Sequence, residues 1–202
     1  MHSLFAKFYK IGAVASIVAV SACQSVPNSP IANGNQHKIA QTRTALAEQY
    51  YQAGDLDNAK RQVDLALSAM PNHAQATAML AMILAKEGSP ANLSLAEQYF
   101  KQAIKSDGND ALVAFWYAMH LVQTGRLSDS AAWFEKAGST LGFDGRVLAL
   151  ENLAYVRVQM WQNQPTTKHL QLAKSAIKRA IDAGSHNANL LNQARYFDHL
   201  TH

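Results

Sequence analysis

The sequence predicts an all-α protein in which about four helix pairs stack into an α-solenoid that a C-terminal helix closes. Three observations support this fold class. Apolar residues recur at helical spacing along most of the 202-residue chain, glycines interrupt the helices, and the same order of large, small and aromatic residues returns about every 35 residues. Because one helix pair cannot bury its apolar face alone, repeated pairs are expected to stack on one another.

The first helix pair is predicted from residues 45–71, ALAEQYYQAGDLDNAKRQVDLALSAMP. One face of its first helix carries a large, a small and an aromatic residue, and Gly54 then interrupts the helix. The second helix has a small-large-small face and ends before Pro71. Small residues let two helices approach closely, whereas large ones fill the space between repeats. These residues are Leu46, Ala47, Tyr50, Ala59, Val63 and Ala66.

The pattern returns in three further copies, of which the last is weaker. The second copy contains Leu80, Ala81, Leu84 and Gly88, then Ala96, Phe100 and Ala103. The third contains Tyr117, Ala118, Leu121 and Gly125, then Ser130, Phe134 and Ala137. The fourth contains Leu153 and Ala154, then Ala173, Ile177 and Ala180. The expected repeat boundaries are therefore about 40–73, 74–110, 111–144 and 145–186, with a cap at 187–200.

This order of residues resembles the tetratricopeptide repeat (TPR), which is about 34 residues long. The resemblance implies a right-handed α-solenoid in which the first helix of each pair lines a concave face. The alternative is an unrelated helical bundle with alanines at its close contacts. Matching glycine and aromatic positions in three copies count against that alternative.

The start of the chain predicts a signal peptide at residues 1–22. Lys7 and Lys10 precede an apolar run of about 12 residues, which is shorter than the roughly 20 that a membrane-spanning helix needs. Residues 20–23, VSAC, resemble the lipobox of bacterial lipoproteins. The resemblance implies lipidation of Cys23 and, because Gln24 rather than an aspartate follows, an outer-membrane anchor with the folded domain facing the periplasm. The alternative is an ordinary signal peptide with a chance cysteine.

Residues 24–37, QSVPNSPIANGNQH, predict a flexible tether. They hold two prolines and several amide side chains and no acidic residue, a composition typical of linkers. Together with the acylated N-terminus, the tether is expected to span 23–37. The folded part of the chain would then stand off the membrane surface.

Composition and motifs exclude several functional classes. The formal net charge of +4 falls to about +2 once the signal peptide and its two lysines are removed, which is too small for a nucleic-acid-binding surface. The chain contains neither a glycine-rich phosphate loop nor a catalytic constellation, so we expect no enzymatic activity and no cofactor. His199 and His202 are three residues apart but lack nearby acids or thiols, so no metal site is expected.

The repeat register places one set of side chains from the first helices on the concave face. Thr44 and Glu48 belong to this set in the first repeat, and Leu112 in the third. An exposed apolar stripe along this face would mark a partner site for a helix or an extended peptide. The alternative occupant is the C-terminal helix or the tether of the chain itself. The expected stripe consists of Tyr51, Met82, Phe115, Met119, Val122 and Tyr155.

A lipobox followed by a small TPR domain resembles the type IV pilus pilotin family, also called PilF or PilW. The stretches that carry the resemblance are ALAEQYYQAGDLDNAKRQVDLAL, LAEQYFKQAI and FWYAMHLVQTGRLSDSAAWFEKA. In the last, Trp116, Tyr117 and Ala118 replace the family's usual Asn-Tyr-Gly, whereas Gly125 and Arg126 are kept. The resemblance implies a lipoprotein that binds the secretin subunit of the pilus system and promotes its outer-membrane localisation and assembly. The alternative is an envelope adaptor that recruits a peptidoglycan enzyme or an outer-membrane assembly factor.

Overall fold

The computed structural model describes residues 30–199, with side chains from Gly34 onward. This part of the chain forms nine α-helices joined by short connections. The helices are α1 (Pro30–Gln52), α2 (Leu56–Ala69), α3 (Ala74–Glu87), α4 (Pro90–Ser106), α5 (Ala111–Gln123), α6 (Leu127–Ser139), α7 (Arg146–Asn163), α8 (Thr167–Asp182) and α9 (Ala188–His199). The predicted fold class, a right-handed α-solenoid of four helix pairs with a C-terminal capping helix, is confirmed.

Polar side chains and glycines set the limits of the helices. The Asp55 carboxylate accepts a hydrogen bond from the backbone N–H of Asn58 at 3.1 Å and begins α2. Ser89 begins α4 by the same kind of contact with the N–H of Asn92, also at 3.1 Å. Such caps satisfy backbone donors that the first turn of a helix leaves free. Gly125, in the turn after α5, has φ of +75°, a conformation that side chains other than glycine rarely adopt.

The predicted small residues lie where helices touch. The small close-contact residues of the first three copies and the rings of Phe100, Tyr117 and Phe134 are fully or almost fully buried, whereas the aromatic residue of the first copy, Tyr50, is half-buried. A buried ring of this kind contributes several kcal/mol to stability, because its removal leaves a cavity that the neighbouring backbone cannot close. The buried residues are Ala47, Ala81, Ala118, Ala59, Ala96, Ser130, Phe100, Tyr117 and Phe134.

The fourth helix pair joins the stack differently from the others. Helix α3 packs beside α1 and helix α5 packs beside α3, whereas α7 packs mainly against α6 and α8. Gly138, near the end of α6, permits this approach, because a Cβ atom there would lie 2.6 Å from Cδ2 of Leu150 on α7. The connection from Thr140 to Gly145 consequently lies next to the inner face of α5, where the stack of first helices would otherwise continue.

The structure corrects the predicted tether at its C-terminal end. Helix α1 begins at Pro30, so residues 30–37 are helical rather than part of a flexible segment. Proline is well tolerated in the first turn of a helix, because its missing N–H would have no helical partner there. The rings of His37 and His73 lie 5.4 Å apart and connect the added turns to the solenoid. Residues 1–29, with Cys23 and the predicted signal peptide, lie outside the described part of the chain.

None of the helices in residues 30–199 combines the length and the hydropathy that crossing a bilayer requires.

Candidate functional site

The structure places the six predicted groove residues in different environments. Tyr51 is half-buried, and the ammonium group of Lys86 lies 4.4 Å from the centre of its ring. Tyr155, on α7, is 40% exposed. Phe115 on α5 is half-buried, with its ring centre 5.7 Å from that of Phe134. These residues therefore do not form the continuous exposed stripe that the register predicts.

Five of the six, all but Tyr155, belong to the buried core of the solenoid or pack against it. Met82 is only 7% exposed, so its side chain does not lie on the exposed surface that the register predicts. The reason is the position of α3, which packs against α1, α2, α4 and α5 and has almost no free face. Met119 and Val122 are half-buried and pack against the core that α5 shares with α6, α7 and α8. A binding role for these residues stays a prediction.

The inner face of the solenoid instead contains a cavity of about 760 Å³, which we call the groove. Helices α1 and α5, with Gln75 of α3, provide its walls, and the α6–α7 connection with the start of α7 forms the rim. Four side chains that the register placed on the concave face line it, namely Thr44, Glu48, Leu112 and Phe115. Its volume is within the usual range of small-ligand and side-chain pockets, about 300–1,000 Å³.

Two large apolar side chains on the rim were missed by the sequence reasoning. Leu141, in the α6–α7 connection, is 84% exposed, and Leu148, in the first turn of α7, is 51% exposed. Phe143, which lies between them in the sequence, also lines the groove, and its ring centre is 6.4 Å from that of Phe115. The only sequence signal was the run TLGFDG, in which two large apolar residues flank the glycine of a turn. Covering such apolar side chains with a partner removes them from water and contributes favourable free energy to binding.

The charged side chains that line the groove are all acidic. They are Glu48 on α1, Asp110 at the start of α5 and Asp144 in the α6–α7 connection, and of the described lining residues none is lysine or arginine. Burial raises the pKa of Glu48 above its ordinary value. Arg146 begins α7 beside this rim but does not line the groove. The groove is thus locally acidic in a chain whose formal net charge is +4.

Asp110 has a structural role in addition to its charge. One carboxylate oxygen accepts hydrogen bonds from the backbone N–H groups of Leu112 at 2.9 Å and Val113 at 3.0 Å, which caps α5. The other accepts from the side-chain amide of Gln75 on α3 at 2.8 Å. By contrast, none of the hydrogen bonds or ion pairs among described residues involves the carboxylates of Glu48 or Asp144. Both acids are therefore available to a partner.

A second polar cluster holds the middle of the solenoid together. Glu97 on α4 accepts hydrogen bonds from the Tyr117 hydroxyl and from the Arg126 guanidinium, both at 2.9 Å. Burial alone would raise the pKa of Glu97, but these hydrogen bonds outweigh it and lower the pKa below its ordinary value. Burial and the contact with Glu97 raise the pKa of Tyr117 to about 12. The cluster links α4, α5 and the α5–α6 turn, which suits a structural role.

His120 lies next to this cluster and is almost fully buried. Its Nε2 atom is 3.4 Å from the Glu97 carboxylate, and its Nδ1 atom has no hydrogen-bond partner among the described residues. Burial lowers the pKa of the imidazole below its ordinary value, although Glu97 opposes the shift. The neutral ring packs against Phe100, with 5.2 Å between ring centres. This is the environment of a core histidine.

The capping helix does not fill the groove. Helix α9 packs against α8 and α7, where Phe197 is fully buried and its ring centre lies 5.0 Å from that of Trp161. None of its residues lines the groove. In residues 34–199, no group of three or more histidine, cysteine, aspartate or glutamate side chains is arranged to hold a metal ion.

Comparison with known proteins identifies the repeat. Residues 91–139, which cover α4, α5 and α6, match a family model described as tetratricopeptide repeat. The fold is a TPR solenoid. PilF of Pseudomonas aeruginosa has a similar structure, with a TM-score of 0.68 and 22% sequence identity over 81% of this chain and 69% of the PilF chain. No curated protein sequence matches the chain.

PilW, described as a widely conserved type IV pilus biogenesis factor, is also similar in structure. Its TM-score is 0.60 at 21% identity, over 79% of this chain and 74% of the PilW chain. At these identities the likeness concerns the fold. In the TPR solenoid the groove belongs to the concave face, because α1 and α5 are the first helices of their pairs.

Proposed function

We propose that this protein is a non-enzymatic, lipid-anchored pilotin that binds the secretin subunit of a type IV pilus system in the groove. Binding would bring the secretin to the outer membrane with the lipoprotein and promote its assembly there. The proposal is supported by the TPR fold, by its likeness to PilF and PilW, and by the lipobox-like residues that end at Cys23.

The observation that carries the proposal is the exposure of Leu141 and Leu148 on the rim of a concave cavity. Burying a leucine side chain contributes about 1.5–3 kcal/mol. Two leucines alone do not offset an association cost of about 4–15 kcal/mol. The partner must therefore also contact the α5 wall, where Leu112 and Phe115 are half-buried. A segment that enters the cavity fits this requirement better than a flat surface contact.

Copurification with the secretin tests the proposal. Full-length protein carrying Leu141→Asp and Leu148→Asp should lose the secretin from detergent-solubilised membranes, because two charges would enter an apolar contact. The matched control carries Leu65→Asp and Leu95→Asp, which change exposed leucines outside the groove. Equal recovery of secretin with both variants would contradict the proposal. Phe115 and Met119 are unsuitable for this test, because they pack against the core and their replacement would disturb folding.

The anchor is tested separately. Cys23→Ala should release the protein from the outer membrane or leave it uncleaved, and the secretin should be misplaced. Membrane fractionation would show both effects, and normal secretin multimers in that strain would contradict a role for the anchor. If the membrane eluates instead contain a peptidoglycan enzyme or an outer-membrane assembly factor that depends on Leu141, the adaptor alternative is correct.

A further inference from the structure

The groove combines apolar side chains with two acids, Glu48 and Asp144, that have no cationic partner among the described residues. Glu48 on α1 and Asp144 in the α6–α7 connection both line it. A half-buried carboxylate loses part of its hydration and regains that free energy only if a donor or a cation approaches it. Among the described residues no such group reaches Glu48, and burial raises its pKa. A bound segment could therefore supply the donor or cationic group that Glu48 lacks.

We propose that the segment bound in the groove carries a lysine or arginine flanked by large apolar side chains, and that Glu48 and Asp144 accept its cationic group. The inference rests on the proposed function and specifies the chemistry of the guest. The apolar flanks contact Leu141 and Leu148, and the cation lies between the two acids. Charge-assisted hydrogen bonds in a partly dehydrated site are stronger than neutral ones.

The same arrangement selects against other guests. A segment with acidic residues at these positions would bring like charges together in a site that water screens poorly. None of the described residues that line the groove is basic, so none would relieve the repulsion. A wholly apolar segment would leave Glu48 covered and unpaired, which costs more than leaving it in contact with water. The acids thus give the groove specificity, whereas its apolar side chains together provide most of the affinity.

Binding of synthetic peptides to the full chain in detergent tests the inference. Three short amphipathic peptides share a leucine face and differ only in lysine, glutamine or glutamate at the polar positions. Isothermal titration calorimetry should show that the lysine peptide binds about tenfold more tightly than the glutamate peptide, with a difference that shrinks as salt is added. No binding of the lysine peptide, or equal binding of all three, would overturn the inference.

Charge variants show whether the groove causes the preference. Glu48→Gln with Asp144→Asn should reduce affinity for the lysine peptide to that for the glutamine peptide. The control, Asp57→Asn with Asp64→Asn, changes the net charge equally at exposed positions of α2 and should bind like the unmodified chain. A lysine preference that persists in the groove variant, or that disappears in the control, would overturn the inference.

Secretin capture separates this inference from the proposed function. If the charge variant recovers as much secretin as the unmodified chain, whereas the Leu141 and Leu148 variant recovers none, the function stands and the cationic guest is wrong. If the unmodified chain recovers no secretin, the proposed function fails, and the peptide measurements still decide the chemistry of the groove. Loss of secretin in both groove variants, with normal capture by the α2 control, supports both proposals.

Discussion

Glu48 lowers the folding stability of the free protein because of its position in the groove. Its carboxylate is half-buried on the wall of the groove, and within residues 34–199 it has no hydrogen-bond donor. Burial disfavours the charged form and so raises the pKa above the value of the unfolded chain. The stability of the folded state therefore falls as the pH rises from the ordinary pKa of glutamate to the raised pKa, and the loss is complete above the raised pKa. Residues kept at such a cost are often found at binding sites.

Glu48→Gln should therefore stabilise the free protein at neutral pH. The amide has a similar shape and carries no charge, so the cost of burying a carboxylate disappears. At acid pH, below the ordinary pKa of glutamate, the carboxyl is protonated and the difference should vanish. Urea unfolding at both pH values measures the effect. Asp64→Asn, at an exposed position of α2, is the control, and a Glu48 variant no more stable than this control at neutral pH would contradict the account.

Tyr117 is the residue at which the polar cluster is most easily tested. Tyr117→Phe removes the hydrogen bond to Glu97 but leaves Arg126 in place, so the free energy of unfolding should fall by about 0.5–1.5 kcal/mol. Tyr155→Phe is the matched control, because this tyrosine is exposed and its hydroxyl has no partner in the described chain. Chemical denaturation compares the two. Equal stability of both variants would show that the Glu97 contact contributes nothing.

The structural role of a residue was predictable from the sequence where one packing contact determines which residue fits. The alanines at helix crossings were predictable, because only small side chains allow two helices to approach closely. The burial of Met82 was not predictable, because the helical register gives the direction of a side chain but not which other helices lie in that direction. Helix α3 has neighbours on nearly every side, so the face that looks concave from its sequence is also buried.

At the scale of elements, the sequence predicted the helix pairs and missed how the last pair is placed. Glycine and proline positions and helical spacing are local signals, and they predicted the pairing of α1 to α6 but not the early start of α1 at Pro30. The packing of α7 against α6 depends on Gly138, whose close approach to Leu150 cannot be recognised without the partner helix. The groove rim is a consequence of that packing. For this reason Leu141 and Leu148 were absent from the predicted site.

Gly138→Ala should destabilise the protein by about 1–3 kcal/mol, because the added methyl would overlap the buried side chain of Leu150. Alanine normally stabilises a helix interior relative to glycine by about 1 kcal/mol. Gly34→Ala on α1 is the control, since a Cβ atom there meets no other atom within 4 Å, and it should not destabilise. Urea unfolding of both variants measures the contrast. A Gly138 variant as stable as the control would contradict the close α6–α7 contact.

At the scale of the whole molecule, the fold class followed from the repeat, but the binding surface did not. A solenoid is predictable because each pair contacts only its neighbours, so that local pattern implies global architecture. The groove brings together residues of α1, α5 and the α6–α7 connection, and the first and last of its lining residues are about 100 positions apart in the sequence. Spacing alone cannot show that Glu48 and Leu141 line the same cavity. The predicted six-residue stripe accordingly contributes only Phe115 to the groove.

The central claim is that this groove holds a secretin segment. Site-specific photocrosslinking in living cells tests it most directly, with the photoreactive residue placed at position 141 and, as the control, at position 65 on the exposed face of α2. We predict a crosslink to the secretin from position 141 and none from position 65. Crosslinks of equal yield from both positions, or from position 65 alone, would contradict the claim.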